Sequence, residues 1–406
     1  MKNQFKKEKA MQSEFETLTQ TKIEANSLLS FFIPNLDGGG AERVMLHLAE
    51  GCAERGLRAD LVVAQAKGAY LGNIPSTVRL INLEATSPLL LTKTIALKKY
   101  LEREQPTALL TTLDIFNAAA WAQRLAKTPT RSIMVVQTHL SQQFQDRHSL
   151  PMRWLKCQIV RLFYPWSHQI VAASQGVADD LENIAGISTK TTRVIYNPVV
   201  KPDFFEKVKQ PIAHPWFDSE APPVILGVGR LVKQKDFATL VRAFAKVRQV
   251  RTCRLIILGD VDEREPNIKP ELEALIEKFN IRDDVLLPGF VENPYAYMAN
   301  SQIFALSSIY EGFGNVVAEA IAAGTSVVST DCESGPAEIL ENGKCGRLVS
   351  VRDHDALAMA ILETLDNPID SVILAERAKA FTVEVIVDQY LDIITNALSK
   401  SSSKPY

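Results

Sequence analysis

The stretch QIFALSSIYEGFGNVVAEAIAAGTSVVST, residues 302–330, decides the fold. It opens with the apolar run QIFALSS, passes through a loop with two glycines, and enters a helical segment near Asn315. A second apolar run, SVVST, begins at Ser326. Two short apolar strands joined by a helix are typical of a βαβ unit, in which the strands are parallel. The stretch therefore predicts an α/β fold.

The same pattern repeats along the rest of the chain. Apolar runs that predict strands begin at Leu28, Ala59, Ala108, Ser132 and Gln169 in the first half, and at Val224, Arg254, Asp284, Gln302 and Ser326 in the second. Helical segments separate them, which is typical of parallel sheets. We therefore predict two doubly wound, Rossmann-like domains. The carboxyl ends of both sheets are expected to face a shared cleft, where ligands of such sheets bind.

Shifts in composition predict the limits of the domains. The predicted units are a polar, flexible leader at 1–27, a first domain at 28–198, a linker at 199–223, a second domain at 224–380, and a C-terminal helix and tail at 381–406. The leader lacks the apolar core of a signal peptide. The linker contains five prolines and no helical or strand period. The closing segment has apolar residues at helical spacing, including Val383, Ile386 and Val387.

Composition and charge exclude several classes of protein. With 406 residues, of which 46% are hydrophobic and 23% charged, the chain is typical of a soluble globular protein with two domains. A net charge of -2 argues against a global positive field, so no nucleic-acid partner is expected. The five cysteines are scattered without a C-x-x-C pair, which indicates reduced thiols in a cytoplasmic protein. No apolar stretch approaches the roughly 20 residues that span a bilayer.

The first candidate site is the loop that follows QIFALSS. Gly312 and Gly314 let a ligand approach the backbone, and the helix near Asn315 begins with unpaired amide donors at a positive dipole end. This pattern predicts a seat for a diphosphate. Glu311 precedes the helix and Glu319 lies in its second turn, so either carboxylate can accept hydrogen bonds from hydroxyls. The spacing alone leaves open a solvated and a capping glutamate instead.

The second candidate site is the loop after the strand that ends at Val228. In GVGRLVKQKDFATLVRAFAKV, Arg230 can grip phosphate oxygens in a bidentate manner and Lys235 can add a point charge. Two solvated loop cations are the alternative. The segment G-V-G-R lacks the spacing of the dinucleotide fingerprint G-x-G-x-x-G, which disfavours a dehydrogenase.

Two features of the first half are weaker signals. Gly38, Gly39 and Gly40 follow the first strand and permit a backbone nest for phosphate or acceptor, or simply a flexible turn. The Lys-Ser/Thr of a P-loop is missing there, so an NTPase is excluded. His139 follows the strand SIMVVQ and can donate to a sugar or a reacting oxygen, or serve a structural role. Glu338 is interpreted as a charge at a helix start.

Together these segments resemble the large retaining family 4 of GT-B glycosyltransferases. The resemblance runs from Leu28 to about Leu398 and is most specific in GRLVKQKDFATLVRAFA and in the E-x7-E pair of Glu311 and Glu319. It implies two facing Rossmann-like domains with an interdomain cleft. It also implies a hexosyltransferase that keeps the anomeric configuration of its donor, a nucleotide diphosphate-sugar, which is a co-substrate rather than a bound cofactor.

The resemblance also implies roles for individual residues. Glu319 would bind the nucleotide ribose, and Glu311 the hydroxyls of the donor sugar. The remaining donor-binding positions that it implies are Gly39, Gly40, Arg230, Lys235, Gly312, Phe313, Gly314, Asn315 and Val316, with His139 as a cleft histidine near the sugar. Arg230, Lys235, Glu311 and His139 are the expected catalytic residues.

The GGGAER loop and the segment TDCESGPAEIL are similar to those of bacterial members that build lipopolysaccharides, capsules and lipid-linked oligosaccharides. The expected donor is a UDP-hexose or UDP-N-acetylhexosamine, and the expected acceptor is a glycan or a lipid-linked glycan. Those members frequently have Pro where Glu333 stands and Arg where Ala337 stands. Both departures lie beside the expected donor site and leave the identity of the sugar open.

Other interpretations remain open at this point. A nucleotide-sugar epimerase of similar shape would need acid and base groups around the sugar, and an inactive partner subunit would have the same fold. No metal is expected, because cations and helix amides can stabilise the leaving diphosphate. We interpret Asp260 and Asp262 as a solvated loop. The basic and aromatic segment at 151–166 indicates peripheral contact with the inner face of the cytoplasmic membrane, or simply a helix with solvated basic ends.

Overall fold

The computed structural model describes residues 23–37, 39–85, 89–112 and 116–399. Most of the predicted leader, the end of the predicted tail at 400–406, and Gly38 lie outside the described residues. The predicted α/β architecture of two doubly wound parallel sheets is confirmed. The domain limits at 28–198 and 224–380 stay a prediction.

The first sheet contains only parallel pairs among the described strands, and its strand order is β3-β2-β1-β4-β5-β6-β7. The strands are β1 (Leu28–Ile33), β2 (Arg58–Val63), β3 (Val78–Asn82), β4 (Ala108–Thr112), β5 (Arg131–Val136), β6 (Gln169–Ala172) and β7 (Thr192–Val194). The direction of winding reverses between β1 and β4. This switch point is where open α/β sheets bind their ligands.

Helices cover both faces of this sheet. They are α1 (Gly40–Glu54), α2 (Leu90–Glu104), α3 (Phe116–Ala126), α4 (Leu140–Arg147), α5 (Leu150–Phe163) and α6 (Gln175–Ala185). Side chains alternate along β1, so Phe31 packs toward α1 and Phe32 packs toward α2 and α3. Helix α6 begins at the Ser174 cap, whose hydroxyl accepts from the Val177 amide (3.2 Å), and ends at Gly186, which has φ +67°.

The second sheet has the order β10-β9-β8-β11-β12-β13, again with parallel pairs. Its strands are β8 (Val224–Val228), β9 (Arg254–Leu258), β10 (Val285–Gly289), β11 (Ile303–Leu306), β12 (Ser326–Thr330) and β13 (Arg347–Val349). The winding reverses between β8 and β11. Two of the candidate loops, after β8 and after β11, therefore leave neighbouring strands at the switch point of this sheet.

The remaining helices complete the second half of the chain. They are α7 (Phe204–Val208), α8 (Phe237–Val250), α9 (Ile268–Lys278), α10 (Pro294–Asn300), α11 (Asn315–Ala322), α12 (Pro336–Ile339), α13 (His354–Asp366), α14 (Ser371–Ala378) and α15 (Val383–Ser399). Helix α7 lies within the predicted linker, for which the sequence showed no helical period. It forms because the buried Phe204 packs into the core of the second domain.

The C-terminal helix α15 returns to the first domain. Its apolar face, which includes Val383, Val387 and Tyr390, packs with α1 and the first sheet in one continuous core. A Cβ on Gly51 of α1 would lie 2.6 Å from Val383, so a glycine there lets the two helices approach closely. The chain thus crosses between the domains twice.

Candidate active site

The loops after β5, β6 and β11 meet between the two domains. A Cβ on Gly312 would lie 1.9 Å from the carbonyl oxygen of Gln137, so only glycine permits this approach. The hydroxyl of Ser174 donates to the carbonyl of Gly312 (2.7 Å). The glycine loop that the sequence singled out is therefore in direct contact with the cleft edge of the first domain.

Further contacts across the cleft come from the same part of the second domain. The side-chain amide of Asn197 donates to that of Asn315 (2.8 Å). The carboxylate of Glu338 accepts from the backbone amides of Gln175 (2.8 Å) and Gly176 (3.0 Å). Glu338 thus caps α6 of the opposite domain, and its interpretation as a simple charge at the start of its own helix was incomplete.

The start of α11 brings backbone and the side chain of Asn315 to the cleft, whereas the ring of Phe313 lies in the core. Gly314 has φ +93°, a left-handed conformation that favours glycine, and directly precedes the helix. The ring of Phe313 is buried against Tyr196 and Phe381, with centroids 5.3 and 5.7 Å away. Asn315 and Val316 begin the helix and are half-buried. The segment therefore offers a ligand its backbone and helix terminus, not the aromatic ring.

Lys235 and Glu311, which come from different loops, form one ion pair. The Lys235 ammonium lies 2.6 Å from Oε1 of Glu311, and the hydroxyl of Ser308 donates to the same oxygen (2.6 Å). The side chains of Lys235 and Glu311 are largely buried. Ser308 was not singled out from the sequence. These contacts hold both charged groups in place in front of the start of α11.

Arg230 also has an acidic partner. Its guanidinium lies 2.8 Å from Asp262, and Arg264 binds the two oxygens of the same carboxylate (2.7 and 2.6 Å). The Asp262 side chain is only 8% exposed. Hydrogen bonds from Arg264 hold the pKa of Asp262 well below its usual range, and the charge of Arg230 acts in the same direction. The interpretation of Asp262 as a solvated loop residue was therefore wrong, whereas Asp260 is exposed.

Glu319 is wholly buried and forms an ion pair with Arg43 across the cleft. Burial raises the pKa of Glu319, although the charges of Arg43 and Lys235 oppose the shift. Arg43 belongs to the GGGAER segment, but no role was predicted for it from the sequence. A role in the site could have been predicted from its position, because Arg43 lies in the first turn of a helix that starts at the cleft edge.

The glycine loop of the first domain lies opposite the start of α11. Gly39 precedes α1, and a Cβ on Gly40 would lie 3.2 Å from the side-chain amide of Asn315. Burial raises the pKa of Glu42, and the charge of Arg230 opposes the shift. Both domains therefore contribute to one site.

His139 is buried at the cleft between two carboxylates. Its Nε2 lies 3.0 Å from Glu333 of the second domain, and its Nδ1 lies 3.6 Å from Asp180 of the first. The hydroxyl of Ser141 contacts the same Nδ1 (3.1 Å). Asp180 was not predicted, because it lies on α6 and nothing in its sequence surroundings indicates a histidine partner.

The described residues contain neither a candidate metal-binding group nor a candidate membrane-spanning helix. Within the described ranges, His, Cys, Asp and Glu side chains form no group of three or more that is arranged to hold a metal ion. None of the helices in the described part of the chain combines the length and apolarity needed to cross a bilayer. The cysteines, all five of which are described, are free thiols.

Comparisons with known proteins agree with this architecture. The family model described as "Glycosyltransferase Family 4" matches residues 38–200, and "Glycosyl transferases group 1" matches residues 210–381. Among solved structures, a glycosyltransferase from Rickettsia africae has a TM-score of 0.75 at 18% identity, covering 92% of this chain and 99% of that one. HepE of Anabaena in complex with UDP and glucose has a TM-score of 0.67 at 20% identity, covering 93% and 99%.

Two sequence relatives are named as glycosyltransferases, one acting on a diphospho-undecaprenol-linked sugar and one of lipopolysaccharide core biosynthesis. The chain is 35% identical to the N-acetylgalactosamine-N,N'-diacetylbacillosaminyl-diphospho-undecaprenol 4-alpha-N-acetylgalactosaminyltransferase of Campylobacter jejuni, over 55% of this chain. That match spans 57% of the relative, little more than half its length. The lipopolysaccharide core biosynthesis glycosyltransferase LpsE of Rhizobium meliloti is 26% identical over 88% of this chain and 96% of its own length. The two family models together cover most of the chain, which therefore belongs to the family 4 glycosyltransferases of the GT-B fold.

Proposed function

We propose that the chain transfers a hexose or N-acetylhexosamine from a UDP-sugar to a glycan or lipid-linked acceptor, with retention of configuration, in the synthesis of a surface polysaccharide or oligosaccharide. The observation that carries the proposal is the Lys235–Glu311 ion pair beside the start of α11. In this pair, Lys235 would bind the diphosphate of the donor and Glu311 would bind the hydroxyls of its sugar. The names of the Campylobacter and Rhizobium relatives support the choice of acceptor class.

In the proposed reaction, the acceptor hydroxyl attacks from the face that the diphosphate leaves. The diphosphate oxygen takes the proton, so no protein nucleophile is needed. Lys235, Arg230 and the amides at the start of α11 stabilise the charge that develops on the leaving group. His139, held by Asp180 and Ser141, donates a hydrogen bond near the sugar.

A screen of nucleotide sugars by thermal shift tests this proposal. A donor that binds only the folded chain raises its melting temperature. UDP and at least one UDP-hexose or UDP-N-acetylhexosamine are expected to do so, and a chain stabilised by none of them would not be a UDP-sugar transferase. Incubation with the donor alone then separates the classes: an epimerase converts the donor, a transferase at most hydrolyses it slowly, and an inactive subunit leaves it unchanged.

We expect transfer to continue in the presence of EDTA. Arg230 and Lys235 already supply positive charge where a divalent ion would act, and Asp262 is occupied by two arginines. Activity would be measured after dialysis against EDTA and again after adding magnesium. Loss of activity that magnesium restores would contradict the metal-free mechanism, and with it the view that no metal or cofactor is required.

The Glu319→Ala variant is expected to weaken UDP binding by about tenfold or more, because a buried charged acceptor for the ribose hydroxyls is lost. Isothermal titration of free UDP measures this. The Glu376→Ala variant serves as control. Glu376 lies on α14, and its exposed carboxylate is paired with Lys379. Unchanged UDP affinity in Glu319→Ala would contradict the ribose role.

Helix α5 supports peripheral membrane contact. Leu150, Trp154 and Leu162 are exposed, Trp154 to 66%. The guanidinium of Arg153 is occupied, because it donates to the carbonyls of His148 (2.8 Å) and Gln145 (2.7 Å), so the cationic contribution of the helix comes from its other basic residues. We propose that this face lies on the inner surface of the cytoplasmic membrane. Sedimentation with anionic and with neutral vesicles tests it, and equal absence from both would contradict it.

A further inference from the structure

Glu333 holds a carboxylate at the sugar side of the cleft. It follows β12, and its carbonyl oxygen accepts from the backbone amide of Glu311 (3.2 Å). Residues 310 and 333 also form a parallel bridge. The backbone of Glu333 is therefore fixed directly beside Glu311. Its side chain is 62% exposed, so the carboxylate extends into the cleft instead of packing into the second domain.

This carboxylate reaches the opposite domain. Its Oε2 lies 3.0 Å from Nε2 of His139 and 3.5 Å from the side-chain amide of Gln142. Glu311 on one side and His139 on the other are the residues that, under the proposed function, contact the donor sugar. Glu333 spans the gap between them. A sugar seated there would replace the Glu333–His139 contact or lie against it.

The charges around this gap are unequally compensated. Glu311 is paired with Lys235 (2.6 Å), and Asp180 accepts from the backbone amide of Ser141 (3.1 Å). Among the described residues, no lysine or arginine lies within ion-pair distance of Glu333, whose charged-group contact is with His139. The electrostatic potential in the gap is therefore negative.

We propose that Glu333 makes the sugar subsite selective for donors whose sugar carries hydroxyl or amino groups, and that it rejects nucleotide-uronates. This inference rests on the proposed function. Hydroxyl and ammonium groups donate to a carboxylate, whereas a carboxylate on the sugar would face a like charge at close range. Selectivity of this kind works by repulsion as well as by attraction.

Calorimetry with UDP, UDP-glucose and UDP-glucuronate tests the inference, since the two sugars differ only at C6. The wild-type chain is expected to bind UDP-glucuronate at least about tenfold more weakly than UDP-glucose. Glu333→Gln is expected to reduce this ratio to about threefold or less, with the affinity for UDP itself unchanged. Glu376→Gln, which removes an exposed carboxylate of α14, is expected to keep the wild-type ratio.

A wild-type ratio near one would overturn the inference, and so would a tenfold ratio that persists in Glu333→Gln. Both results leave the proposed function intact, provided that UDP binds. Glu333→Lys gives a second readout, because a cation at the same exposed position is expected to favour UDP-glucuronate over UDP-glucose. Failure of the wild-type chain to bind UDP at all would instead overturn the proposed function, and the inference with it.

Discussion

The Lys235→Ala variant is expected to turn over its donor on the order of a hundredfold more slowly than the wild-type chain. The ammonium lies where negative charge develops on the leaving diphosphate, and its loss also leaves the buried Glu311 carboxylate without its cation. The turnover of Arg230→Ala is expected to fall by a similar factor. Steady-state turnover with saturating donor measures both effects, since a group that acts mainly in the transition state changes kcat.

Lys233→Ala is the matched control for these variants. Lys233 lies in the same short 3-10 turn as Lys235, but its side chain is exposed. Its loss is expected to leave turnover within about twofold of the wild-type value, because exposed loop charges contribute little. Near-normal turnover in Lys235→Ala or in Arg230→Ala would remove that residue from the mechanism. Melting temperatures would show whether each variant remains folded.

The Gly312→Ala variant is expected to lose on the order of a hundredfold in turnover while it still binds UDP. The added Cβ would lie 1.9 Å from the carbonyl oxygen of Gln137, so the two domains cannot keep their present separation. A displacement of about 1 Å between reacting groups costs about this factor. UDP binding should persist, because Lys235, Glu311 and Glu319 all belong to the second domain.

Gly72→Ala provides the comparison for Gly312→Ala. A Cβ on Gly72 meets nothing within 4 Å, so the substitution is expected to leave turnover unchanged. Turnover and UDP affinity should be measured side by side for both variants. Full turnover in Gly312→Ala would mean that the close approach of the domains at Gln137 is not part of the working arrangement.

Strands with long apolar runs could be predicted from the sequence, including the edge strand β10, whose run begins at Asp284, but the other three edge strands could not. The runs that begin at Leu28 and Val224 form β1 and β8, each hydrogen-bonded on both sides. The missed strands β3, β7 and β13 all lie at sheet edges, where a strand has one neighbour and buries fewer side chains. In β13, Arg347–Val349, all three residues are only half-buried. Such segments carry too short an apolar pattern to be recognised.

The loops of the site could also be predicted, but their partners could not. The pattern placed Glu311 correctly in the loop before α11 and Glu319 correctly within the helix. Arg43, the partner of Glu319, lies 276 residues away in the sequence. The two arginine partners of Asp262 were missed as well: Arg230 lies 32 residues away in a different loop, whereas Arg264 lies only two residues away. Ion pairs between distant loops depend on how the strands and domains are arranged in space, which local sequence patterns do not encode.

The stereochemistry of transfer is the most direct test of the proposed reaction. The reaction would be supplied with a UDP-α-sugar, identified by the thermal-shift screen, and with a glycan or lipid-linked acceptor. Proton NMR of the purified glycoside then reads the anomeric coupling. We predict an α-linked product formed together with UDP, because retention is implied by the resemblance to family 4. A β-linked product would contradict the retaining reaction that we propose for this chain.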